Sequence, residues 1–159
     1  MTQTAIARER WRLAFVAATV AWALLLPIAA FAASRPAASS FTHMAAAVPY
    51  AIGAVVCHQR PARSFDLWSR QLPVCARCTG IYAGAALAVL CASAIVTKWR
   101  GAFSNARTLL IVAALPTFAT LVYEWSAAVP QNAVRAIAGV PLGAAVALVI
   151  LAALDDQVN

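Results

Sequence analysis

LAFVAATVAWALLLPIAAFAA, from Leu13 to Ala33, is 21 residues without a charge. At 1.5 Å per residue it makes a helix of roughly 31 Å, enough to cross a hydrocarbon core of about 30 Å. The rest of the chain has the same character. Of 159 residues, 64% are hydrophobic and 11% charged, whereas a soluble domain carries about 25% charged residues. This composition excludes a water-soluble fold and predicts a single membrane domain over residues 1–159.

Outward from that stretch, four more uncharged or nearly uncharged runs follow: 41–56, 79–97, 108–129 (broken by Glu124) and 136–154. The run at 41–56 is short and contains Pro49 and Gly53, so it is either a short span or a re-entrant or interfacial helix. The expected fold is therefore all-α, an integral membrane helical bundle of four or five spans. Arg8, Arg10 and Arg12 before the first run, with Ala30-Phe31-Ala32 near its end, also imitate a cleavable signal peptide. An uncleaved anchor fits equally well, because the later spans already commit the chain to the membrane.

The net charge of +7 comes from 12 basic residues against five acids. The arginines flank apolar runs and form no continuous basic face, which excludes nucleic acid as a partner and points to membrane lipids. Their distribution also bears on orientation. If 41–56 does not cross, six basic residues fall on each face. If it crosses, eight fall with residues 57–78 and four opposite, which puts that loop on the cytoplasmic side of a bacterial-type cytoplasmic membrane.

The loop 57–78 concentrates the chemistry: Cys57, His58, Cys75 and Cys78 with Arg60, Arg63, Arg70 and Arg77. Cys75-Ala76-Arg77-Cys78 presents two sulfurs on a turn into a helix, half of a tetrahedral metal site, and Cys57 with His58 would supply the other half. Zn is the foremost ion for such a set. A thiol–disulfide exchange centre is the rival reading, because a helix N-terminus and Arg77 both favour thiolate. A structural disulfide or free packing thiols remain open. Haem attachment is excluded, since Thr79 stands where histidine is required. Cys91, 13 residues further down the span, reads as packing, and His43 as an interfacial residue.

Arg60, Arg63, Arg77 and Arg135 would receive an anionic small ligand or a lipid headgroup through forked hydrogen bonds. Glu124 is costly inside a span unless paired, and Arg135 is its expected partner. Span counting places Cys57, His58, Cys75, Cys78, Glu124, Asn132 and Arg135 at one end of the bundle whichever way 41–56 lies. The small residues Gly80, Gly84, Ala88 and Gly139, Gly143, Ala147 form two ladders that would let their helices approach closely. With Glu124 the one acid within the spans, no polar path for a transporter is visible.

The stretches Cys57-His58-Gln59-Arg60-Pro61-x-Arg63-Ser64-Phe65 and Leu72-Pro73-Val74-Cys75-Ala76-Arg77-Cys78-Thr79-Gly80-Ile81-Tyr82-x-Gly84 resemble the signature of the domain-of-unknown-function 2085 family. Asn132-x-x-Arg135-x-x-x-Gly139-x-x-x-Gly143 resembles its C-terminal motif. The resemblance covers roughly residues 50 to 145 and implies a small multipass membrane protein with a shared Cys/His/Arg site. It implies no activity. Many members carry an Asp in the helix corresponding to the fourth span; in this chain the nearest acid is Glu124.

Overall fold

The computed structural model describes residues 3–37, 39–99, 105–126 and 131–156. Five α-helices and a small hairpin follow one another: α1 Gln3–Ala33, α2 Ser40–Val56, a 3₁₀ turn Pro61–Arg63, β1 Ser64–Leu67, β2 Arg70–Cys75, α3 Ala76–Trp99, α4 Ala106–Trp125 and α5 Asn132–Asp156. The all-α membrane bundle expected from composition is what forms. Among the described residues, α1, α4 and α5 are long and apolar enough to cross a membrane. Large apolar side chains such as Leu24, Leu90, Ile111 and Phe118 stay exposed on their outer faces, as lipid contact requires. The helix of the expected 108–129 run ends at Trp125, with Ser126 as its cap. Residues 127–129 and Arg100 lie outside the described residues.

α3 and α5 run side by side in the same direction, and glycine makes the contact possible. A Cβ on Gly80 would collide with the Ala136 carbonyl, one on Gly84 with that of Val140, and one on Gly143 with that of Ile81. The two ladders are therefore one backbone-to-backbone seam, the close approach that small residues four apart permit between membrane helices. Gly139 meets the Arg77 carbonyl in the same seam. The seam fixes the first turn of α3 beside the first turn of α5, which brings Arg77 and Cys78 near Arg135.

α1 runs antiparallel to α3. Phe15, Val16 and Val20 pack on the cluster of Ala88, Val89, Ala92, Ala147 and Leu151, while Trp22 meets Tyr82 edge-on at 5.9 Å. The end of α1 and the start of α3 thus share one end of the bundle. α2, which connects them through the hairpin, begins and ends there. It packs on α1 and on β2: Gly53 lies directly against the Pro73 carbonyl, and the Tyr50 hydroxyl donates to the Gln71 carbonyl at 2.6 Å. Because α1 and α3 are antiparallel, this is the non-crossing option for 41–56, a re-entrant or interfacial helix, and it leaves the basic residues at six against six. The charge count that favoured a cytoplasmic loop needs a crossing α2 and loses its basis.

The segment 57–78 is more ordered than a loop. β1 and β2 pair antiparallel, with Leu67 opposite Arg70 and Ser64 opposite Cys75. The connecting residues Trp68 and Ser69 both take positive φ, 52° and 59°, the pattern of a two-residue turn normally built from Asn-Gly. Trp68 is held there by edge-on packing against Phe31, centroids 5.1 Å apart. Pro73 fits in β2 because a two-stranded ribbon has only edge strands.

Candidate metal and anion site

Three elements end at one point. α2 stops at Cys57, whose backbone is extended (φ −146°, ψ 142°). β2 ends at Cys75, and the first turn of α3 carries Cys78. The Cys57, Cys75 and Cys78 sulfurs all lie within 4.8 Å of one another, and all three residues are partly buried free thiols. The Cys75 backbone N–H donates to the Cys57 sulfur at 3.2 Å. The Cys75 thiol is pulled down to about 5, first by a hydrogen bond from Cys78; burial opposes this, and the backbone N–H groups of Cys78 and Arg77 and the Cys57 thiol support it.

Gln59 holds this junction together. It adopts φ 44°, a left-handed conformation uncommon outside glycine and asparagine, and its side chain explains why. Gln59 Nε2 donates to the Tyr50 carbonyl at 2.9 Å and to the Pro73 carbonyl at 2.6 Å. Gln71 Nε2 in return donates to the Gln59 carbonyl at 2.6 Å. α2 and β2 are bridged one residue pair away from the cysteines. Sequence reasoning had assigned Gln59, Gln71 and Tyr50 no part, and the sole hint was a glutamine inside an otherwise basic and sulfur-rich run.

Glu124 sits at the second focus of the site. Its Oε1 is 2.9 Å from both Arg77 Nη2 and Arg135 Nε, and its Oε2 is 3.4 Å from Arg63 Nη1. The expected Glu124–Arg135 pair is present, with Arg77 as an equal partner that the sequence had not assigned to it. Arg77 also donates to Thr120 at 3.1 Å. Arg135 is 3% exposed, and it donates to Asn132 Oδ1 at 2.8 Å, while Asn132 Nδ2 donates to the Ser64 carbonyl at 2.8 Å. α3, α4, α5 and the hairpin are thus joined through one carboxylate and one amide.

Between the sulfurs and the ion cluster lies an open cavity of about 310 Å³, lined by Cys57, His58, Arg60, Arg63, Cys75, Arg77, Cys78 and Arg135, with Val56 and Gln59. Every residue expected from the sequence to bind metal or anion therefore faces one space. His58 does not join the three sulfurs as a fourth ligand. His58 is exposed and lines the same cavity as Cys57 without standing in that group. Cys91 is exposed on α3 and apart from the cluster.

A helical membrane bundle with a cysteine and arginine site at one end is a definite class of protein. Residues 57–149 match the family model described as "Predicted membrane protein (DUF2085)", and the chain belongs to that family. It is similar to an uncharacterized protein of Methanothermobacter thermautotrophicus, 41% identical over 63 residues, covering 40% of this chain and 54% of that one. It is also similar to an uncharacterized protein of Methanocaldococcus jannaschii, 51% identical over 35 residues, covering 22% of each chain. The matches thus span about half the length of the first relative and less of the second. No solved structure matches.

Proposed function

We propose that this protein binds a soft or borderline transition metal, Zn foremost, through the thiolates of Cys57, Cys75 and Cys78, with the fourth coordination position turned to the cavity. The mutual distance of the three sulfurs carries this reading. Tetrahedral thiolates at ~2.3 Å from Zn stand roughly 3.8 Å apart, so sulfurs within 4.8 Å need to move by at most about 1 Å. Three protein ligands and one open position are the arrangement of reactive rather than purely structural Zn sites. The buried ion cluster behind the cavity would hold the ligand-bearing elements rigid.

Serine at position 57, 75 or 78 should each remove most of the metal from the purified protein, while Cys91→Ala and His58→Ala retain it near stoichiometry. Retention in Cys75→Ser, or loss in Cys91→Ala equal to that in Cys75→Ser, would contradict the ligand set.

A thiol–disulfide oxidoreductase is the second reading. It is favoured by the lowered Cys75 thiol lying beside two potential exchange partners. The compartment separates the two, since three neighbouring thiols stay reduced only in a reducing compartment or under a metal. Within the metal reading we keep the cysteine face on the cytoplasmic side of a prokaryotic cytoplasmic membrane. Ready labelling of Cys75 in intact cells by a membrane-impermeant maleimide would place it outside and favour the redox reading.

A further inference from the structure

The cavity carries far more positive charge than its one carboxylate neutralises. Arg60, Arg63, Arg77 and Arg135 line it, and Glu124 is the acid that Arg63, Arg77 and Arg135 share. Four guanidiniums against one carboxylate leave three positive charges before any cysteine ionises. A divalent ion with three thiolates would subtract one and leave two. Two of the guanidiniums are largely buried, Arg135 with 4% and Arg77 with 16% of the side chain exposed. Uncompensated charge in such a position is expensive. Arg77 Nε, moreover, is buried with no acceptor among the described residues.

We propose that the cavity takes a doubly charged phosphate group, either inorganic phosphate or the terminal phosphate monoester of a lipid headgroup. Guanidinium forks match the oxygens of such a group with paired hydrogen bonds. Arg60 and Arg63 flank the 3₁₀ turn at the rim, where Arg60 is exposed and the Arg63 side chain 45% exposed. They would close on the ligand from outside, and Arg77 with Arg135 would meet it from within. A volume of about 310 Å³ exceeds what a bare phosphate fills and leaves room for its substituent. The wall belongs to the end of the bundle where lipid headgroups stand, and apolar Val56, 54% exposed, lies at its edge. The inference goes beyond the metal and does not rest on it, because the guanidinium excess is present with or without an ion.

The test is calorimetric titration of the full-length protein in detergent with inorganic phosphate, and native mass spectrometry of the same protein in phosphatidylcholine nanodiscs with and without phosphatidic acid. Phosphate binding alone would support a free ligand, phosphatidic acid binding alone a lipid one, and both together the shared chemistry. The Arg60→Gln/Arg63→Gln variant should weaken binding by about tenfold or more with its thermal midpoint unchanged. Arg70→Gln, which alters no cavity residue, should bind as the parent does. If the rim variant fails to fold, Arg60→Lys/Arg63→Lys keeps the charge, removes the forks, and should still bind measurably more weakly. Absence of both ligands, equal binding by a folded rim variant, or displacement by acetate as effective as by phosphate would overturn the proposal.

Discussion

At the scale of single residues, the site is built on one sulfur and one carboxylate, each held by more partners than its neighbours in sequence would suggest. Hydrogen bonds from Cys78 and the backbone hold the Cys75 thiol well below the ordinary thiol range. The folded pKa of about 5 lies well below the ordinary thiol range of about 8.5–9. Ionisation therefore adds stability that is complete above about 9 and is lost as pH falls through about 5. The corresponding prediction concerns metal-free, reduced protein: the rate of Cys75 alkylation should stay near its plateau from about pH 8 to pH 6 and drop only around pH 5. An unperturbed thiol, with a pKa of about 8.5, would instead slow roughly tenfold per pH unit below pH 8. That behaviour at Cys75 would show that the Cys78 and backbone hydrogen bonds do not form. Glu124 gives a second prediction. Because it pairs with Arg135 and Arg77 at 2.9 Å each with only 6% of its side chain exposed, Glu124→Gln should cost on the order of 3–5 kcal/mol. Glu124→Gln and Arg135→Gln should be non-additive in a cycle of thermal stabilities. Additivity within about 0.3–0.5 kcal/mol would contradict the pair. These two residues also show what single-residue reasoning can and cannot see. An acid in an apolar run announces that it needs a cation, and the i-to-i+11 distance to Arg135 follows from a helical turnaround. That Arg77, 47 positions away, makes an equal contact depends on the packing of three helices.

At the scale of elements, the glycine seam between α3 and α5 sets the position of everything above it. The Gly143 Cβ direction runs into the Ile81 carbonyl and backbone, and neither is a flexible group that can yield. Gly143→Ala should thus push α3 and α5 apart and cost about 1–3 kcal/mol as an overpacking change. The movement should reach Cys78 through α3 and weaken metal retention. Ala17→Val, on an exposed face of α1, should leave the thermal midpoint and metal content unchanged. An unaffected Gly143→Ala protein would mean that the two helices do not meet along this line. The ladders were legible in sequence because four-residue spacing places glycines on one helix face. The hairpin was not. Its turn is Trp68-Ser69, residues with no preference for positive φ, and Pro73 within β2 is a residue that only edge strands admit. What stabilises it is contact with Phe31 and the Gln59 bridges, long-range partners that local propensity does not encode.

At the scale of the whole molecule, the apolar runs specify a helical membrane bundle, and the direction of neighbouring helices then brings the polar ends together. The end shared by the cysteines, Glu124 and Arg135 was deducible by counting crossings, because it does not depend on α2. The path of α2 was not deducible, since a 17-residue helix with an internal proline is near the lower limit for a span. The antiparallel course of α1 and α3 removes it from the traversing set, and its packing on β2 delivers Cys57 to Cys75. His58 stands outside the group of sulfurs that lie within 4.8 Å of one another, which is why the metal set proposed above is the three sulfurs. The central claim is that these sulfurs hold one ion, and metal analysis with thiol counting on protein purified anaerobically and without chelator tests it most directly. The expected result is near-stoichiometric Zn or another soft metal, all four cysteines reduced, and Cys57, Cys75 and Cys78 shielded from alkylation until the metal is removed. Metal-free protein with two of its four thiols missing would contradict it.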